Sequence, residues 1–542
     1  MTGWKDHLTI APILVPLIAG TLMILIGERR RNLQAALGLV SVATLLMLAL
    51  ALAAIADGPG DARVQVYRLG NWPSLFAIVL ALDRLSAMML VLTAILGLTA
   101  LVYSLARWHR AGAHFHPLFQ FQLMGLNGAF LTGDLFNLFV FFEVMLAASY
   151  GLALHGSGAP RVRAGLHYIV VNLTASLLFL VGVSMIYGVA GTLNMADLAA
   201  RIPAVATEDR ALVETGAAIL GVAFLIKAAM WPLGFWLPTT YAAASAPAAA
   251  ILSILSKVGI YAVLRLWLLL FGAAGGASAG FGGTWLLIGG LLSIAFGSVA
   301  VLATQNMTRL AGSAVLVSSG TLLAAIGIGQ TAVTGGALFY MASSVLAIAG
   351  LFLLTELIER GRDIGADMLA VTREAFGEDE EENPDKEETG VAIPATKAIL
   401  GMSFMGCALV LAGLPPLSGF LAKFAILAPL FTPQQSSISV TTWVLLAALL
   451  LSGMAMIVAM TRSGIDAFWV SAGGPVPRVR VLEIGPVLVL LALCVALSVK
   501  PAPVLRYMQA TAQSLHASQD YVRDVLSDRG SQTPGPTTGG GR

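Results

Sequence analysis

LAGSAVLVSSGTLLAAIGIGQTAVTGGALFYMASSVLAIAGLFLLT, residues 310–355, contains no Asp, Glu, Lys or Arg. A helix needs about 20 apolar residues to cross the hydrocarbon layer of a bilayer. This one stretch therefore holds two spans, with Gly335-Gly336 as the expected turn between them. Residues 35–56, 85–106, 266–308, 398–422 and 424–461 are equally free of charge. The same length rule gives about fourteen spans over the chain. Their cores lie near 10–27, 35–56, 77–105, 117–132, 135–155, 164–189, 212–230, 247–270, 284–304, 309–329, 334–358, 395–430, 441–461 and 483–500.

Composition agrees. Hydrophobic residues make up 58% of the 542 and charged residues 11%, against about 25% charged in a soluble domain. So few ionic groups cannot cover a water-facing surface of this size. Inside lipid every backbone polar group needs an internal partner, and no alternating polar and apolar barrel strands are present. The fold expected is an all-α polytopic membrane helix bundle over residues 1–500, with its core at 77–465.

Several chemistries are excluded. The net charge of +2 and the lack of a basic, aromatic-interleaved stripe argue against nucleic-acid binding. Cys407 and Cys494 each stand alone in apolar runs, without a CxxC signature. Gly-Lys never occurs, so there is no P-loop, and H-E-x-x-H is also missing. No metal and no cofactor is expected.

Basic residues alternate between loops. Arg29-Arg30-Arg31, Arg107/Arg110, Arg161/Arg163, Arg309, Arg360/Arg362, Arg462 and Arg478/Arg480 fall in every second one, whereas the loops near 271–283, 330–333 and 432–440 carry none. The positive-inside rule then puts the arginine loops in the cytoplasm and both termini outside. The run at 10–27 leads into Glu28 and three arginines, without the features of a cleaved signal peptide. Two non-membrane segments are expected: an acidic cytoplasmic loop at 361–394, containing REAFGEDEEENPDKEE (373–388), and a largely disordered C-terminal tail at 501–542.

Against this background four charges stand out. Of seven lysines, Lys227, Lys257 and Lys423 fall in or beside spans, and Glu143 lies within FNLFVFFEVMLAASYGLAL (136–154). A lysine at a helix centre costs roughly 2.5–3.5 kcal/mol on insertion scales, and such groups mark ion paths and proton relays. The competing explanations are a structural ion pair that fixes helix register, or a lysine that snorkels to the interface; the second applies most to Lys227, near the end of its run. Glu143 is the natural partner for Lys227. Burial and a nearby carboxylate pull a lysine in opposite directions, so a carboxylate that approaches and withdraws changes its proton affinity in steps.

Two of these lysines sit beside helix breakers. Met230-Trp231-Pro232-Leu233-Gly234 interrupts the seventh span after Lys227, and Gly413-Leu414-Pro415-Pro416-Leu417-Ser418-Gly419 interrupts the twelfth before Lys423. Broken helices at membrane depth free backbone groups to line cavities, and a pair five spans apart is the pattern of inverted repeats. Asp134 at the mouth of the fifth helix and His167 at an apolar helix start are secondary candidates, the first for pairing or solvation, the second as a core residue or a relay. His109, His114 and His116 lie in a loop. Ser313, Ser318, Ser319, Ser343 and Ser344 could line a water path or simply pack helices.

At these residues the chain resembles a family. FFEVMLAASYGLALHG (141–156), FLIKAAMWPLGFWLP (224–238), ILSILSKVGIYAVLR (251–265) and GLPPLSGFLAKF (413–424) are similar to the antiporter-like subunits of respiratory complex I and of Mrp-type cation/proton antiporters. EVMLAASYGLALHG, the acidic loop after TELIERGR and IDAFW (465–469) most resemble the D-type subunits of Mrp/Pha antiporters. The resemblance implies two inverted five-helix repeats, a Glu143–Lys227 pair, Lys257 as the connecting group on a broken eighth helix, and Lys423 as the terminal group on the broken twelfth. A histidine that other relatives carry after the seventh helix is missing from LPTTYAAASAP (237–247). The implied activity is exchange of cytoplasmic Na⁺ or K⁺ for external protons by a hetero-oligomer with an A-type large subunit and several small ones, in a bacterial inner membrane. The alternatives are a proton-pumping membrane subunit of an NADH-quinone oxidoreductase or membrane hydrogenase, and a non-transporting scaffold.

Overall fold

A computed structural model describes residues 4–58, 64–72, 77–156, 158–360, 395–431, 438–470 and 479–527. The acidic loop expected at 361–394 lies outside the described residues. Among those described, the chain forms nineteen α-helices and one two-stranded antiparallel sheet.

The helices follow the charge-free runs. α1 (Ala11–Ile26) and α2 (Arg31–Ala56) precede β1 (Gln65–Arg68), β2 (Val79–Leu82) and α3 (Arg84–Ser104). Then come α4 (Phe115–Leu131), α5 (Leu135–Ala153), α6 (Ala159–Ala190), the short α7 (Met195–Arg201), α8 (Thr207–Lys227) and the short α9 (Leu237–Ala243). α10 (Ala246–Phe271), α11 (Gly283–Ala303), α12 (Met307–Ile328) and α13 (Thr331–Glu359) follow. The chain closes with α14 (Ala395–Ala412), α15 (Ser418–Leu427), α16 (Val440–Ile465), α17 (Val481–Val499), α18 (Pro501–His516) and α19 (Ser518–Leu526). Eleven stretches are long and apolar enough to cross a membrane, and Ala11–Ile26 and Ser418–Phe431 are shorter apolar helices.

Lipid tails are as apolar as leucine, so burial of apolar surface does not by itself gather such helices; close packing and buried polar contacts do. α13 is buried over its whole apolar window and α10 over nearly all of it, whereas α2, α6, α11, α16 and α17 turn rows of Leu and Val outward. The centre of the bundle is thus α10, α12 and α13. Lys257 and the serines singled out in the sequence lie there.

Three expectations are corrected. The turn within 310–355 falls at Gly329-Gln330, where Gly329 takes φ +71° after α12, and not at Gly335-Gly336. Those two glycines are packing positions inside α13: Gly335 abuts Gln509 of α18, and Gly336 abuts the backbone of Ala425 in α15. The start of the span expected at 77–105 is strand, since β2 pairs with β1 with Gln65 opposite Leu82. Residues 501–526 are ordered helix, not tail. Composition hides their pattern, because Met508, Ala512 and Leu515 in α18 and Tyr521 and Val525 in α19 recur at helical spacing within polar sequence and are buried, with Thr511 and Ser518 beside them. α18 packs on α13, α19 on α7. Arg68 donates to the carbonyls of Val525 (3.2 Å) and Ser527 (2.6 Å), and Asp524 accepts from the Val64 amide (3.2 Å), tying α19 to the hairpin. Residues 528–542 lie outside the described residues.

Candidate functional site

Glu143 lies midway along α5, half-buried, and its carboxylate accepts a hydrogen bond from the Ser176 hydroxyl of α6. Lys227 is the last residue of α8 and is buried. Its ammonium lies 5.2 Å from the centre of the Phe142 ring and has no hydrogen-bond partner among the described residues. A cation over an aromatic face is attracted by the ring quadrupole. Glu143 and Lys227 are therefore neighbours around Phe142 without forming a direct ion pair, each turned to its own contact.

The chain breaks after Lys227. Residues 228–236 carry Pro232 and leave the helix until α9 begins at Leu237. Ala229 takes φ +56° there, the Trp231 amide donates to the Ser293 hydroxyl (2.8 Å), and the Trp236 indole donates back to the Ile226 carbonyl (3.3 Å). These side-chain contacts satisfy part of the backbone released by the break.

α10 passes against the end of α8 at Gly259. A Cβ at that position would lie 2.7 Å from both the Ala228 nitrogen and the Phe224 carbonyl oxygen, so only glycine permits the approach. Two residues earlier, Lys257 is fully buried. The eighth span is not broken: α10 is continuous from Ala246 to Phe271, with its one proline, Pro247, in the first turn, where it removes no needed donor.

The Lys257 ammonium donates to Ser318 (2.9 Å) and Ser319 (3.2 Å) of α12, and Ser318 donates to Ser344 (3.0 Å) of α13. Ser343, next along α13, exchanges a 2.8 Å hydrogen bond with Ser418 at the start of α15. Four of the five serines singled out in the sequence thus form two hydrogen-bonded segments, one from the middle of α10 to α13 and one from α13 to the second break. Ser313 does not take part; its hydroxyl bonds back to the Arg309 carbonyl (3.0 Å).

The second break runs from Gly413 to Leu417, through Pro415 and Pro416. Lys423 on α15 reaches back and donates to the carbonyl of Ala412, the last residue of α14, at 2.9 Å. A helix end leaves such carbonyls without intrahelical partners and carries the negative pole of the helix dipole. Gly413 has φ +78°, and a Cβ there would fall 2.8 Å from the Lys423 stem. A larger residue would be strained and would displace the lysine.

The secondary candidates separate. Asp134 caps α5, accepting from the amides of Phe136 (2.8 Å) and Asn137 (3.0 Å). Burial pushes its carboxyl above the usual range, and those two amide bonds hold the rise in check. His167 is not a core residue: it is exposed on α6 and lines a surface cleft. Of the three histidines expected in a loop, His116 lies buried in the first turn of α4, and the three are not gathered, since His114 faces Glu28 at 3.2 Å while the rings of His109 and His116 lie 5.9 Å apart.

One buried cluster has no counterpart among the residues singled out in the sequence. Arg265 pairs with Asp83 at 2.5 and 2.8 Å and also donates to Ser86 (2.9 Å) and Tyr261 (3.2 Å). Its guanidinium sits 5.4 Å from the ring centres of both Tyr261 and Tyr521. Lys257, Tyr261 and Arg265 are spaced by four residues, hence on one face of α10; that spacing was the available signal. A second network joins Arg360 to Glu356 and Glu483, with Trp108 donating to Glu356 at 2.8 Å.

Hydroxyls both donate and accept, so a buried lysine bonded to serines, as Lys257 is, can exchange a proton where an isolated charge could not. The arrangement offers buried segments of protonatable groups.

The transmembrane family described as "NADH:quinone oxidoreductase/Mrp antiporter, TM" matches residues 132–452. A Rhizobium meliloti protein, named as the probable D-type subunit of a K⁺/H⁺ antiporter, is 58% identical over 536 residues, covering 97% of this chain and 99% of that one. The D-type subunit of the Na⁺/H⁺ antiporter of Alkalihalophilus pseudofirmus is 33% identical over 530 residues, covering 96% and 100%. In fold, the chain is similar to one in the Mrp complex from Dietzia sp. DQ12-45-1b, with a TM-score of 0.79, 24% identity and coverage of 97% and 100%.

Proposed function

We propose, for a chain that belongs to the NADH:quinone oxidoreductase/Mrp antiporter transmembrane family, that it is the proton-translocating subunit of a multi-subunit K⁺(Na⁺)/H⁺ antiporter. The observation that carries this reading is the buried line from Lys257 through Ser318 and Ser344 on one side, and from Ser343 through Ser418 toward Lys423 on the other. Protons enter near Glu143 and Lys227, pass to Lys257 and leave toward Lys423. Lys227 has no fixed acceptor among the described residues, which suits a group whose partner changes during turnover. Names of relatives at 58% and 33% identity support cation exchange over the redox-coupled alternative.

The finer architecture belongs to the same proposal. Adding α1, α4 and the α8–α9 pair to the eleven long stretches makes fourteen spans. They are read as two inverted five-helix repeats, each with one broken helix and a lysine beside the break. The arginine-bearing ends face the cytoplasm and both termini face outward. The partners are an A-type large subunit and small subunits.

The test uses everted vesicles that contain the assembled complex. Lys423→Ala and Lys257→Ala should each abolish K⁺- or Na⁺-dependent proton movement while the complex still assembles. Full activity in either variant would overturn the assignment.

A further inference from the structure

Outside the lysine line, a second site of different chemistry opens on the surface. A cleft of about 840 Å³ lies between the first turns of α6 and α12 and the α8–α9 connection, a size in the range of small-molecule sites, roughly 300–1,000 Å³. Its polar wall carries Arg163, His167 and Arg309, with Thr239 beside them; Phe235 and Trp236 form the apolar wall. No acidic side chain is among the described residues that line it. Arg163 and Arg309 are exposed and make no side-chain ion pair among the described residues. The first turn of α6 has no side-chain cap and its Ala159 and Pro160 line the cleft, so the positive end of its dipole lies beside the opening.

Two arginines, a histidine and an uncapped helix start call for an anion. What lies next to them names its source. Along α6, Arg163 and His167 are followed on the same face by Val170, Thr174, Leu177 and Val181, all exposed. The Thr174 hydroxyl is already satisfied by the Val170 carbonyl at 2.9 Å. Phe235, at the mouth, is 62% exposed. A charged cradle thus continues into an unbroken apolar track that runs down a membrane span. A free anion would use only the cradle, and an acidic peptide would have nothing to bury along the track.

We propose that this cleft binds the phosphate-bearing headgroup of an anionic glycerophospholipid, with an acyl chain along the Val170–Leu177–Val181 face of α6. Basic pockets between transmembrane helices recognise such headgroups, and each arginine near an anionic headgroup is worth about fivefold in affinity. Loss of both should weaken binding on the order of thirtyfold.

The experiment places the photoreactive residue p-benzoylphenylalanine at position 235 in the assembled complex, in membranes that contain phosphatidylglycerol and phosphatidylethanolamine. Adducts are identified by mass spectrometry. The expected result is a phosphatidylglycerol adduct in excess over its share of the membrane. It should fall at least tenfold in the Arg163→Gln/Arg309→Gln background and survive in part with lysine at both positions. Inorganic phosphate at millimolar concentration should not displace it. An adduct to another subunit or to the acidic segment 373–388, equal labelling of both lipids, or displacement by phosphate would each overturn the proposal. If the double variant does not assemble, the adduct in the wild-type background and in each single variant decides the matter.

Discussion

Replacing Ser318 and Ser319 together by alanine removes both acceptors of the Lys257 ammonium, at 2.9 and 3.2 Å. A hydrogen bond to a charged group contributes about 1.5–3 kcal/mol, and a buried ammonium left without partners also bears its desolvation cost. Loss of one such bond corresponds to roughly a 10–150-fold change in the accessibility of the charged state, at about 1.4 kcal/mol per decade. Ser318→Ala should therefore slow cation-dependent proton movement at least tenfold. Ser319→Ala should do less, because Ser318 is the nearer acceptor and alone carries the link to Ser344 (3.0 Å). The double variant should be inactive. Both serines are buried, and alanine removes only an oxygen from each, so packing and assembly should persist. The assay is fluorescence dequenching in everted vesicles on addition of K⁺ or Na⁺, normalised to assembled complex. A double variant that exchanges cations at the wild-type rate would show that the serines merely pack, and the proton line would be wrong.

Four further outcomes are expected. Asp83→Asn leaves Arg265 buried without its carboxylate and should cost about 3–5 kcal/mol, whereas Asp83→Leu with Arg265→Met should cost only about 0.5–2 kcal/mol, the loss of the cap that Asp83 gives the Ser86 amide at the start of α3; thermal unfolding of the purified complex compares them. Gly259→Val introduces carbon atoms where a Cβ would already lie 2.7 Å from the backbone of α8, so co-purification with partner subunits should fall sharply. The Asp134 carboxyl has a folded-state pKa raised chiefly by burial, so the folded protein binds that proton more tightly than the unfolded chain. Stability should then drop as pH rises from about 4 through the folded-state value, and Asp134→Asn, which can still cap α5, should remove that drop in pH-dependent melting. Gly413→Ala, strained at φ +78° and pressed against the Lys423 stem, should lower transport at least tenfold with assembly retained, as measured in the same vesicles.

The bundle and its buried lysines were legible because both signals are sparse. A lone Lys257 among dozens of uncharged residues cannot belong to a loop, and Pro232, Pro415 and Pro416, each flanked by glycine within a few residues, mark the two places where the chain leaves the helix. What lay between those residues was not legible. Nothing in sequence order brings Ser318 to Lys257 or turns Glu143 toward Ser176. The break expected in the eighth span rests on resemblance alone, and α10 has no residue that would enforce one. The Gly335-Gly336 pair reads as a turn because glycine serves close packing and chain reversal equally well. The amphipathic α18 and α19 stay hidden because average polarity masks a helical stripe. His167 has apolar neighbours in sequence, yet its own face of α6 points outward.

Tyr521 covers the Arg265–Asp83 pair, and this fixes the order in which the protein can be completed. Residue 521 leaves the ribosome 256 residues after residue 265, or roughly 13–50 s later at ordinary synthesis rates. For that interval the nascent chain carries an uncapped charged pair at one end of a half-built bundle. The ring of Tyr521 thus closes that pair late in synthesis, and a chain truncated before it would leave the two charges uncovered on that side.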